Sequence, residues 1–246
     1  MSKLYETNRN TLGTLMMIIE YNSSEDVLIE FQDAYKYKVR THSRYFRSGK
    51  IRNPYDKVVC NIGFMGVGKY SEKTHPKIYN AWKKMLYRCY DPYFLNLNSS
   101  YRDVFVDNLW HNFQNFALWY ENNYYTYQGK LDLDKDLFSV DMKIYSSSTC
   151  CFLPSELNNL FKCAKLGNNN LPKGINLRSN GKYEVRLSNK DTLLYLGCFN
   201  SLRSAYLMYK FNKELLIHGL AEEYKDILPS KVYNRLKSYK LEDYVC

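Results

Sequence analysis

The chain has 246 residues, 45% hydrophobic and 16% aromatic, enough apolar mass for two or three compact cores and too much for wholesale disorder. Its 35 Lys and Arg against 25 Asp and Glu leave a charge of +10, which favours a polyanionic partner because neutralised phosphates release counterions. No apolar run reaches the length of a membrane span, and the N-terminus lacks a signal peptide's apolar core, so the expectation is a cytoplasmic protein without a membrane partner. Seven cysteines are scattered without a C-x-x-C pair and only four histidines accompany them, which points to free thiols, several packed as small hydrophobes, rather than zinc ligands.

Residues 1–60 read as a small β barrel. Gly13 to Ile19 and Val27 to Phe31 are strand-like runs joined by the polar turn Tyr21 to Asp26, and Tyr35 to Arg40 alternates as a third strand. Arg44, Arg47, Lys50 and Arg52 make the segment after it basic. The glycine-bearing stretch Gly63 to Lys69 lacks a Gly-Lys-Ser/Thr ending and is not a phosphate-binding loop.

Residues 61–165 form an aromatic-rich central region. From Pro76 a helix is predicted, with Tyr79, Trp82, Met85, Leu86 and Cys89 on one stripe and its end at Asp91-Pro92. A second is predicted after Asp107-Asn108, carrying Trp110, Phe113, Phe116, Ala117 and Tyr120. These stripes read as core, and His111, off the stripe, reads as a surface histidine. Gly167 to Asn170 has the composition of a linker.

Residues 171–246 read as three short antiparallel strands, a helix and a C-terminal helical tail around Val232 to Leu236. In the second strand Tyr183, Val185 and Leu187 fall on one face and Lys182, Glu184, Arg186 and Ser188 on the other. Ser179-Asn180-Gly181 and Ser188 to Asp191 are the turns, and Ser201 caps a helix in which Ala205, Met208, Tyr209, Asn212 and Leu216 recur. Between Lys173 and Lys213 stand eight basic and two acidic residues, or +6 (8 − 2). A small sheet with one cationic, unburied face suits contact with phosphates.

The residues Gly174-Ile175, Lys182-Tyr183-Glu184-Val185-Arg186, Tyr195-Leu196-Gly197-Cys198-Phe199 and Ser204-Ala205 through Tyr209 resemble the APETALA (ethylene-response-factor) DNA-binding domain. That resemblance implies a sheet that enters the major groove of double-stranded DNA; Arg178, Lys182, Arg186 and Lys190 are the expected contacts because they lie on the open face or turns of the sheet.

The central region resembles phage-borne HNH homing endonucleases. The resemblance rests on Trp82 through Tyr90, Tyr101-Arg102-Asp103-Val104, Trp110 with Phe113 to Phe116, Leu133-Asp134-Lys135-Asp136, Tyr145-Ser146, Thr149-Cys150, Pro154 and Leu157-Asn158-Asn159. It implies a ββα metal site in which a histidine activates water. No histidine lies between His111 and His218, and Asp134-Lys135-Asp136 stands where that base would be.

Two readings follow. Asp134, Asp136 and Asn158 hold magnesium and cut DNA without histidine, or catalysis is lost and the protein only binds DNA. The second is favoured. A third possibility is a phage inhibitor or adaptor that binds a host protein. The fold class expected is α+β: a β barrel, a helical and ββα region, and a three-stranded sheet with a helix. The setting implied is a phage or mobile element inside a bacterial cell.

Overall fold

The computed structural model describes residues 3–139, 142–161, 171–189 and 192–242. The Gly167–Asn170 linker and Lys190 lie outside the described residues. The chain is mixed α+β with several small sheets and divides into two compact units, Met1–Asn122 and Asn123–Cys246.

In the first unit β1 (Thr7–Arg9), β2 (Leu15–Tyr21), β3 (Val27–Phe31) and β4 (Lys38–Thr41) form an antiparallel meander in that order. Alternation sets the inner face: Met16, Ile18, Val27, Ile29 and Phe31 are buried together with Phe46 of α1 (Ser43–Arg47) and Ile51. The expected barrel is corrected to an open sheet, and no closed barrel is present among the described residues. The edge strands are only three and four residues long, too short to curl round and pair, and α1 covers the apolar face instead.

Beyond the sheet, α2 (Pro76–Tyr90) starts on its proline and ends where Asp91 caps α3 (Pro92–Leu97), the Asp91 Oδ1 accepting from Phe94 N at 2.8 Å. A two-residue strand, β5 (Phe105–Val106), and a single 3₁₀ turn over Asn108–His111 follow. The helix expected from Asp107 begins later, as α4 (Phe113–Asn123), because Asn112 is extended and its Oδ1 accepts from Gln114 N at 3.0 Å. Trp110 therefore stands on the turn before the helix. His111 is also corrected: it is half-buried, its Nε2 lies 3.1 Å from the Val106 carbonyl, and burial lowers its pKa. Gln114 Nε2 donates to the carbonyls of Met65 and Tyr70 at 2.9 Å each and holds the glycine-bearing loop against α4.

In the second unit β6 (Leu131–Asp134) pairs antiparallel with β8 (Cys151–Pro154), and α5 (Ser155–Phe161) follows β8 directly, a ββα arrangement with a short strand, β7 (Ile144–Tyr145), between. The three-stranded sheet is ordered β11 (Thr192–Phe199), β10 (Tyr183–Asn189), β9 (Ile175–Leu177) and is antiparallel throughout. Helix α6 (Leu202–Glu223) starts at Ser201, whose Oγ accepts from Ser204 N at 3.1 Å. Its first half buries Ala205 and Tyr209 against Ile175, Val185 and Leu187 of the sheet. Its second half buries Ile217, Leu220 and Ala221 against Leu153, Leu157 and α7 (Ser230–Lys237). One long helix thus joins the sheet to the ββα arrangement. No helix among the described residues is long and apolar enough to cross a membrane.

Trp82 is the first unit's most consequential side chain: it is fully buried, packs on Phe113 with ring centres 5.3 Å apart, and its Nε1 donates to the Trp110 carbonyl at 2.7 Å. Trp82→Phe removes that donor and leaves a buried carbonyl unpaired, so urea denaturation is expected to show a loss of about 1–3 kcal/mol. An unchanged midpoint would contradict it.

Candidate functional site

The second unit's sheet has one face closed by α6 and one face open. Cross-strand register places Asn176 and Cys198 beside Glu184, Tyr195 beside Arg186, and Leu193 beside Ser188, all on the open face. A β-bulge between Val185 and Arg186 makes this register possible. Opposite it Gly197 takes φ 117°, a conformation that suits glycine, and Leu196 becomes the extra residue. Without the bulge, Tyr195 would fall on the helix side.

Glu184 sits at the centre of this face, 6% exposed, between two guanidinium groups. Its Oε2 accepts from Arg178 Nε and its Oε1 from Arg186 Nε. Hydrogen bonds from Arg178 and then Arg186 hold the Glu184 carboxyl below the usual range, although burial opposes them. Both arginines bond through Nε, so their terminal nitrogens stay outward, with side chains 48% and 45% exposed. Leu193 and Tyr195, about 60% exposed, flank them. Arginine forks beside an aromatic ring and an aliphatic side chain can bond phosphates or guanine edges and cover sugars or thymine methyls.

Of the sequence-derived contacts, Arg178 and Arg186 are brought together across Glu184. Lys182 lies apart from that bridge, in the β9–β10 turn. There Arg178 N donates to Lys182 O at 2.9 Å and Gly181 takes φ 77°, with Asn180 Oδ1 accepting from Lys182 N at 3.1 Å. The turn projects Lys182 as an exposed charge at the sheet's end.

The residues assigned to a magnesium site have other employment. Asp134, at the end of β6, is 3% exposed, and its Oδ2 accepts from the backbone N–H of Asp136 at 3.0 Å and Leu137 at 2.8 Å. Burial raises its pKa to about 6. Asp136 pairs with the Lys135 ammonium. Asn158, on α5, turns to Asp132: the Asp132 Oδ2 takes Ser155 Oγ at 2.8 Å and Asn158 Nδ2 at 3.5 Å, while its Oδ1 pairs with Lys130 at 2.7 Å. Among the described residues no three His, Cys, Asp or Glu side chains form a group that could hold a metal ion. The described cysteines, Cys60, Cys89, Cys150, Cys151 and Cys198, are free thiols, three of them buried.

No protein-family model, curated protein or solved structure matches the chain.

Two residues outside the sequence-derived set matter here. Glu184 is legible in the sequence only as one polar position in an alternating strand; the signal for more is its place two residues before Arg186 on the same face. Asp132 gives no signal beyond its own alternation with Asp134.

The Asp134 carboxyl titrates at 3.8 unfolded and at about 6 folded, so its contribution to stability is whole below pH 3.8 and is lost as pH rises through about 6. Asp134→Asn keeps an acceptor without a charge, and denaturation across pH is expected to show the variant more stable than wild type at pH 7 and flatter between pH 4 and 6. Asp134→Ala removes the acceptor and is expected to cost about 1–3 kcal/mol below pH 4, a cost that shrinks as pH rises through about 6. A wild-type profile flat over that window would overturn this account.

Proposed function

We propose that this protein binds double-stranded DNA through the open face of its three-stranded sheet, and that it descends from a phage or mobile-element HNH homing endonuclease whose catalysis has been lost. The observation that carries the DNA reading is the pair Arg178 and Arg186, fixed by the intervening Glu184 on a face that no other described element of the second unit covers. A guanidinium already held by its Nε loses less freedom on meeting a ligand, and its terminal nitrogens match phosphate or guanine. The ββα arrangement of β6, β8 and α5 supports the descent, and the loss of catalysis is supported by the capping role of Asp134.

A protein partner is a second reading, favoured by one feature. Leu207, Phe211 and Leu215, one turn apart on the outer side of α6, are 53%, 61% and 52% exposed. Phe211→Glu distinguishes the two, because it breaks that stripe and leaves the sheet face intact.

Titration of a labelled duplex at several salt concentrations tests the DNA reading. Arg186→Ala and Arg178→Ala are each expected to weaken binding several-fold or more. Where the arginine meets a phosphate, its removal also lowers the salt slope by about one; where it meets a base, the slope stays and discrimination between sequences falls. In a parallel plasmid assay with Mg²⁺ no cutting is expected; Mg²⁺-dependent cutting abolished in Asp136→Ala would establish the endonuclease instead. Duplex affinity unchanged in both arginine variants would overturn the proposed face.

A further inference from the structure

A cavity of about 530 Å³ opens in the second unit, on the side of the sheet that α6 covers and away from the bridged arginines. Helix α6 contributes Lys213 and Tyr209, the segment before β9 contributes Lys173, β10 contributes Ser188, and α5 contributes Asn159 and Glu156. Leu160 and Leu187 form an apolar wall.

Lys213 is the deciding group. It is 5% exposed, lies in the α6 stripe between Tyr209 and Ile217, and its ammonium meets no carboxylate or hydrogen-bond acceptor among the described residues. An ammonium withdrawn from water without a counter-charge is costly, and sequences rarely keep one in a core stripe where leucine would serve. Burial, and then the neighbouring Lys173, push its pKa down to about 8, which leaves the charged form in the majority at pH 7. One turn earlier Tyr209 is 4% exposed, its hydroxyl likewise without a partner among the described residues, and burial pushes its pKa up to about 12, so it remains a donor. The one carboxylate at the cavity among the described residues, Glu156, is exposed and already accepts from the hydroxyls of Tyr127 and Tyr224.

A buried ammonium and a buried phenol without partners among the described residues, with a second ammonium at the rim, make a cavity suited to an anion. A phosphodiester inside a duplex carries a sugar on each side and does not reach a group this deeply set; a phosphomonoester does. We infer that this cavity binds a phosphomonoester, as free phosphate or the phosphate of a small sugar phosphate, with the Lys213 ammonium as its central contact and Lys173 and Tyr209 around it. The inference stands independently of the DNA reading.

Calorimetric titration of the full chain at fixed ionic strength, with inorganic phosphate, ribose 5-phosphate and ribose, tests it. Phosphate and ribose 5-phosphate are expected to bind, ribose is not, and Lys213→Met is expected to weaken both ligands about tenfold or more, the effect of removing a charge-assisted hydrogen bond. Because the variant removes an unpaired buried charge, its melting temperature is expected to equal or exceed that of wild type. Tighter binding of ribose 5-phosphate places a sugar against Leu160 and Leu187, and equal binding assigns the cavity to phosphate alone. No binding, or equal affinity in wild type and Lys213→Met, would overturn the inference. If the variant does not fold, ¹³C NMR of the lysine Cε groups in the wild-type chain decides: the Lys213 pKa rises when phosphate is added, and an unmoved pKa contradicts the assignment.

Discussion

One carboxylate between two guanidinium groups organises the exposed face of this protein. A three-stranded sheet with a single helix can bury only one side, and here α6 takes the side of Ile175, Val185 and Leu187. Two arginines on the other side repel each other unless something stands between them. Glu184 does so, bonding each through its Nε and leaving a net charge of one cation across the three groups. The arrangement trades some electrostatic attraction for geometry: a polyanion meets two forks already aimed rather than two flexible chains. It also makes the outward geometry depend on elements far from the surface. The bulge at Gly197 keeps Tyr195 beside Arg186. Just before the first strand, Gly174 takes φ 79° where any Cβ would strike the Tyr209 ring and the Arg186 carbonyl.

The second unit uses its acids in opposite ways, and their settings explain the difference. Glu184 lies among cations, and its carboxyl is held ionised. Asp134 lies against Leu137, Cys150 and Cys151, where burial favours the neutral acid and two backbone N–H groups occupy one oxygen. A hard cation needs charged oxygens open to it, so the surroundings of Asp134 favour a turn-forming role. Asp132, tied to Lys130, Ser155 and Asn158, fastens the start of α5 to β6 in the same structural spirit.

Local chemistry is the legible part of the sequence. Period-two alternation in Tyr183 to Ser188, the Asn-Gly turn, the Ser201 cap and the Asp91-Pro92 break each reappear where their residue types require. What the sequence hides depends on partners distant in the chain. The barrel does not close because closure is decided by how two edge strands meet, and nothing within Thr7 to Arg9 or Lys38 to Thr41 encodes that. Spacing alone puts Trp110 on a helix with Phe113; the extended Asn112 between them carries no warning in that spacing. Lys213 gives little sign of itself because a lysine on a helix is ordinarily surface, yet its positions four from Tyr209 and Ile217 put it in the buried stripe. The candidate site is legible as residues and hidden as geometry: alternation presents Arg178 and Arg186 as separate contacts, and the acid that couples them as a bystander.

The most direct measurement of the central claim is a map of amide chemical-shift changes in the ¹⁵N-labelled chain on adding a short DNA duplex. The account predicts that the largest changes fall on Arg178, Lys182, Glu184, Arg186 and Tyr195, with α6 residues such as Phe211 unmoved. Changes centred on the outer side of α6, or on the first unit with the sheet silent, would contradict it.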